Sequence, residues 1–169
     1  MPKKKRGPRK NKPTIWHSAR EGIVADLEVF IANDPKLIDE TDNLGWAPLH
    51  YACLFGRIEA ATWLVEHGAN INMMTEGIMK ERGGVEKTPQ RFELIYMGVT
   101  PLIIAVRKGF NAIVSVLIRH GADPAVLDLI GQSALDYANP KTRAIMNFES
   151  YVEKDGKDEA EEEEEENED

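Results

Sequence analysis

Four histidines, a single cysteine and two blocks of opposite charge are the residues of the 169-residue chain most able to do chemistry. His50 and Cys53, spaced His-x-x-Cys, supply two potential metal ligands. A structural zinc site takes four, and no second pair follows, so no metal is expected. Cys53 has no second cysteine with which to form an intrachain disulfide. Gly83-Gly84 lacks the Lys-Ser/Thr pair and helix start that make a phosphate loop. No nucleophile, base or paired-carboxylate constellation assembles elsewhere. The expectation is a non-catalytic protein that needs no cofactor.

Charge is distributed unevenly. Residues 1–13 carry seven basic residues and no acid, a net +7, and include the run Lys3, Lys4, Lys5, Arg6. Residues 153–169 carry twelve acids against Lys154 and Lys157, a net −10. The whole chain is at −8, which leaves −5 for the stretch between. The Lys3–Arg6 run looks like a nuclear import signal, with an import receptor as its expected partner. No aromatic residue interleaves these cations, so nucleic acid is not the expected partner. The acidic tail is low in complexity and expected to be disordered. It either solubilises the chain or engages a basic client. With no apolar run of about 18 residues and no apolar stretch after the first charges, neither a membrane span nor a signal peptide is expected. The expected location is the nucleus and/or the cytoplasm.

The elements that must carry these groups repeat. GWAPLHYACLFGRIEAATWLVEHGANIN, from Gly45, aligns with GVTPLIIAVRKGFNAIVSVLIRHGADPA, from Gly98, at a constant offset of 53. Pro48 falls on Pro101, Ala52 on Ala105, Gly56 on Gly109, and His67-Gly68-Ala69 on His120-Gly121-Ala122. Gly131 opens a third copy, GQSALDYA, and Ser18, Ala19 and Gly22 belong to a degenerate first one. Pro48 and Pro101 suit the first helical position, where no amide hydrogen is needed. Thr100 and Ser133 can cap their helices; Ala47 cannot, a deficit of about 1 kcal/mol. Gly68 and Gly121 suit left-handed helix ends. Ile58, Leu64, Val65, Ile113, Val114, Leu117 and Ile118 recur at helical spacing and should form a shared core.

The pattern G-x-[TA]-P-L-x-x-A-x-x-x-G followed by H-G-A-[ND] resembles the ankyrin repeat, whose period is 33 residues. The resemblance implies an all-α solenoid of helix-turn-helix units joined by β-hairpin loops. It divides the chain into a disordered basic arm at 1–13, a repeat domain at 14–150 and a disordered acidic tail at 151–169. The repeats fall at about 14–44, 45–74, 98–127 and 131–150. An insertion at 75–94 accounts for the 53-residue offset. Asp34-Pro35 stands where Gly-Ala is usual, so a distorted first hairpin is expected. His50 occupies the T-P-L-H position, where the resemblance implies a structural imidazole tying loops together. Its usual threonine partner is Ala47, and Ile103 replaces the histidine in the next repeat, so the network looks incomplete in both.

Ankyrin proteins bind partners on a concave surface of hairpin tips and first helices. Carried over by position, that surface consists of Asn43, Leu44, Trp46, Leu54 and Phe55, then Tyr96, Met97, Val99, Arg107 and Lys108, then Leu129, Ile130 and Gln132, with Arg20 and Glu21 from the first repeat. Nine of these fifteen are apolar or aromatic, and a contiguous exposed apolar patch marks a partner site. Trp46 and Phe55 are the expected anchors. The functional expectation is a monomeric protein-interaction module, in its sharper form an escort for a basic client such as a ribosomal protein or histone. A kinase-inhibiting ankyrin protein and an RNA-associated adaptor using the basic arm are the alternatives.

Overall fold

The computed structural model describes residues 13–43, 45–76 and 97–147. Residues 1–12, Leu44, 77–96 (which hold all of the insertion but 75 and 76) and 148–169, with the acidic tail, lie outside the described residues. Three helix pairs form the body: α1 (Ile15–Glu21) with α2 (Val24–Asn33), α3 (Pro48–Leu54) with α4 (Ile58–Glu66), and α5 (Pro101–Lys108) with α6 (Asn111–Arg119). The short α7 (Ala134–Tyr137) and helical residues 140–147 close the stack. No strand occurs among the described residues. The first helices α1, α3, α5 and α7 pack in series, and α2, α4 and α6 form a second layer behind them.

Local chemistry sets the helix starts. The hydroxyls of Thr14, Thr100 and Ser133 accept from the amides of His17, Ile103 and Asp136 at 3.2, 3.3 and 3.3 Å. Ser133 and Asp136 complete a reciprocal box, with the Ser133 amide donating to Asp136 Oδ2 at 2.8 Å. That carboxyl is held below its usual range by its bonds to Ser133. Ala47 makes no side-chain cap. Its amide donates instead to Nδ1 of His50 at 3.1 Å, and His50 Nε2 donates to the Met73 carbonyl at 2.9 Å. The imidazole thus works without a threonine partner, so the network is complete at His50. Burial pushes the His50 pKa down to about 4, which keeps the ring neutral.

Both helix layers contribute to one core. Leu27, Leu49, Leu64, Leu102, Ile103, Ile104, Ile113, Val114 and Leu117 are almost fully buried. Each contributes roughly 1.5–3 kcal/mol relative to exposure. Ile118 is also buried, whereas Ile58 and Val65 pack partly buried against the cluster. Between repeats, the Asn70 amide donates to Asp39 Oδ1 at 2.8 Å and the Asp123 amide to Asn72 Oδ1 at 2.9 Å. Thr142 Oγ1 ties the closing helical run to Asn111 of α6 at 2.8 Å. The first loop differs from the others as its Asp-Pro pair implies: Asp34 accepts from the Lys36 amide at 3.1 Å and starts a 3₁₀ turn, Pro35–Ile38.

Candidate functional site

The loops between helix pairs are hairpin turns, each fastened by one side chain. In the first, Asp42 Oδ1 accepts from the Trp46 amide at 3.0 Å, and its other oxygen accepts from the Tyr51 hydroxyl at 2.6 Å. The last repeats this arrangement 86 residues later: Asp128 accepts from the amides of Ile130 and Gln132, both at 3.0 Å, and from the Tyr137 hydroxyl at 2.7 Å. In the middle hairpin Thr75 replaces the aspartate, and its hydroxyl accepts from the Val99 amide at 3.1 Å. The residue equivalent to the tyrosines is Ile104, which offers no hydroxyl. Burial and the neighbouring aspartate push the Tyr51 and Tyr137 hydroxyls up, so both remain protonated donors. The two tyrosine clasps fix the first and last hairpins to the first helix of their own repeats, whereas the Thr75 bond closes the middle hairpin on itself.

Thr75, counted with the insertion by the sequence reading, is therefore a hairpin residue, 3% exposed. Its amide donates to the Val99 carbonyl and its carbonyl accepts from the Gly98 amide, both at 3.0 Å. The inserted residues consequently leave and re-enter within a single turn, replacing the two residues that separate Asp42 from Gly45 and Asp128 from Gly131. Gly98 has φ +63°, and a Cβ there would lie 2.6 Å from Leu129 Cγ. Adjacent hairpin tips thus meet at a position that admits no side chain.

Two of the predicted surface residues are not on the surface. Trp46 is 7% exposed and Val99 is fully buried. Both side chains belong to the continuous core, and the Trp46 indole lies 5.5 Å from the Tyr51 ring and 6.0 Å from His50. Their counterpart Gln132 is exposed in the last repeat, where no further repeat packs against it among the described residues. Trp46 is therefore a core residue and not a free anchor. Leu44, Tyr96 and Lys3, Lys4, Lys5 and Arg6 lie outside the described residues.

The remaining described residues of that set stand at first-helix ends and hairpin tips. Phe55, 43% exposed, ends α3, with the Arg20 guanidinium 5.6 Å from its ring centroid. Arg20 also pairs with Glu21 at 2.9 Å. Leu54 and Met97 are half-buried, and Asn43 and Lys108 are exposed. Arg107 lies 4.7 Å over the Tyr137 ring. Leu129 and Ile130 project from the last tip at 64% and 72% exposure, beside Leu127 at 55%. The sequence reading missed Tyr51, Tyr137, Asp42 and Asp128, although Asp-x-x-Gly followed by Tyr recurs at 42–51 and 128–137.

This arrangement supplies surfaces for binding. Among the described residues no cluster of three or more His, Cys, Asp or Glu could hold a metal. Cys53 is buried, and burial alone pushes its thiol well above the usual range, which leaves it unreactive at neutral pH. His67 and His120 occupy equivalent helix ends and donate Nδ1–H to the carbonyls of Trp63 and Val116 at 2.7 and 2.8 Å. No helix among the described residues is long and apolar enough to cross a membrane.

Comparison with known proteins agrees with the stack of helix pairs. A family model for ankyrin repeats in three copies matches residues 3–75, and one for ankyrin repeats in many copies matches residues 49–118. The chain belongs to the ankyrin-repeat family. It is 30% identical over 135 residues to the Neurogenic locus notch homolog protein 1 of Danio rerio, which covers 71% of this chain and 6% of that protein. It is 33% identical over 63 residues to the human Scaffold protein ILK, covering 37% and 14%, and 26% identical over 128 residues to the human BCL-6 corepressor-like protein 1, covering 76% and 6%. The chain thus spans only a small fraction of the length of these relatives. Ankyrin repeats form protein–protein interaction modules, and the family is generally non-catalytic.

Proposed function

We propose that this protein is a non-catalytic binding module that uses its first-helix face to hold a basic protein client in the nucleus. The observation that carries the reading is the set of large apolar side chains exposed along that face: Phe55, Leu129 and Ile130. The Asp128 clasp preorganises the last tip, which reduces the ordering cost of association. Support for a basic client comes from charge. The described residues between 13 and 76 carry ten acidic against three basic side chains, a net −7, and the tail adds −10. Such a field steers association with a positively charged surface. The Lys3–Arg6 run supports nuclear entry through an import receptor.

The test is affinity capture from nuclear extract on immobilised full chain, compared with the full-length variants Phe55→Ala and Ile130→Asp. The reading expects a captured basic protein whose recovery drops at least tenfold with either variant and also drops as salt rises. Capture of an acidic protein, or of nucleic acid released by nuclease, would overturn it.

A further inference from the structure

The hairpin tips form a ladder in which each tip covers the glycine of the one before it. Glu76 and Leu129 hold the same place in successive tips, one residue after the clasping Thr75 and Asp128. Glu76 lies against Gly45, where any Cβ would run into it, and its amide donates to the Gly45 carbonyl at 3.4 Å. Leu129 lies against Gly98 in the same way, its Cγ 2.6 Å from where a Cβ would stand. The chain thus fills two rungs of the ladder with its own side chains.

The third rung is open. Gly131 closes the last tip, and no described residue lies within 4 Å of the place a Cβ would take there. The rim of this rung is apolar: Leu127, Leu129 and Ile130 are 55%, 64% and 72% exposed. A polar occupant would lose water beside three aliphatic side chains without gaining a partner from them. A branched aliphatic occupant removes apolar area from water on both sides of the contact, as Leu129 does at Gly98. The tip is also fixed in advance. Asp128 accepts from the amides of Ile130 and Gln132, and the Gly131 amide donates to the Asp128 carbonyl at 3.0 Å. Little ordering cost therefore falls on the contact.

We infer that the open rung at Gly131 is a subsite for one branched aliphatic side chain of a bound protein, which continues the tip-to-tip contact of the stack outward. The subsite deepens the reading under Proposed function and rests on it for what surrounds that side chain, namely the basic residues of the client.

The test is titration of short peptides into isotopically labelled full chain, followed by heteronuclear NMR. The probes are acetyl-Lys-Leu-Lys-amide, acetyl-Lys-Ala-Lys-amide and acetyl-Glu-Leu-Glu-amide. The inference expects the first to shift the amides of Ile130, Gly131 and Gln132. It also expects that peptide to bind at least about fivefold more tightly than its alanine counterpart, from burial of the larger side chain. Gly131→Ala places a methyl group in the rung and reduces the leucine peptide to the affinity of the alanine peptide. Gly121→Ala is the matched control: Gly121 has φ +85° against +77° at Gly131, and no described residue lies within 4 Å of its Cβ position either. It carries the same backbone strain and leaves the affinity unchanged. Equal affinities of the leucine and alanine peptides for the wild type would overturn the inference. So would equal effects of the two glycine variants, or shifts centred on Phe55 instead of Gly131. The glutamate peptide separates the subsite from the charge of the client. If it binds at Gly131 as tightly as the leucine peptide flanked by lysines, the subsite stands and the basic-client reading falls.

Discussion

Truncating Trp46 to alanine distinguishes a core role from a binding role. The indole is 7% exposed, packs beside the rings of Tyr51 and His50, and belongs to the continuous core. Replacing a buried tryptophan by alanine costs about 3–5 kcal/mol, from lost transfer free energy and the cavity left behind. For a domain of this size, each kcal/mol lowers Tm by roughly 3–5 °C. Trp46→Ala should therefore lower Tm by at least about 9 °C, or leave the chain unfolded at 37 °C. Phe55→Ala removes a ring 43% exposed whose recorded contact is the Arg20 guanidinium. It should cost about 1 kcal/mol or less, since an exposed cation–π pair contributes roughly 0.5–1 kcal/mol. Urea denaturation followed by far-UV circular dichroism reads both variants independently of the two remaining tryptophans. Equal midpoints for wild type and Trp46→Ala would refute the packing argument, as would a Phe55→Ala loss as large as that of Trp46→Ala.

Three further outcomes follow from the clasps, the histidine and the inserted segment. Tyr137→Phe and Tyr51→Phe each remove a hydrogen bond to a carboxylate that fastens a hairpin, and each should cost about 1.5–3 kcal/mol in urea melts; the middle repeat, with Ile104, gives no such loss on Ile104→Val beyond about 1.5 kcal/mol. The His50 ring is neutral in the fold with a pKa of about 4 against an ordinary 6.5. The unfolded chain therefore binds the extra proton first, so stability is full above pH 6.5 and falls by roughly 3 kcal/mol as pH drops to 4; a stability profile across that range in wild type and His50→Gln checks it, and an unchanged slope in the variant would contradict it. Replacing 76–97 by two residues such as Asn-Gly should leave a cooperative stack within about 2 kcal/mol of wild type, because closure entropy changes slowly with loop length; loss of the cooperative transition would show that inserted side chains belong to the core.

The repeat architecture was legible because each signature residue has a local physical duty. Proline at a helix start, glycine at a left-handed helix end and apolar residues at helical spacing all announce themselves without tertiary information. Side-chain direction in the hairpins was not legible. The repeat signature leaves the position of Trp46 and Val99 open, and an open position reads as a free one. What buries them is packing within the stack, since both belong to the continuous core, whereas Gln132, whose amide is clasped in the same way, is exposed in the last repeat. The boundary of the insertion was not legible either, since Thr75 matches Asp42 in role and not in type. Ala47 looked like a defect until His50 was seen to accept its amide. Leu129 and Ile130, placed at the last hairpin tip by the repeat register, are exposed there.

Photocrosslinking tests the claim that the first-helix face is the partner surface most directly. A benzophenone amino acid placed at Phe55, at Ile130 and, as a control on the second helix layer, at Val29, which is 61% exposed, is irradiated in the full chain in nuclear extract, and adducts are identified by mass spectrometry. The account predicts the same basic protein attached at Phe55 and Ile130, with no adduct at Val29. Adducts at Val29 with none at the other two positions would contradict it.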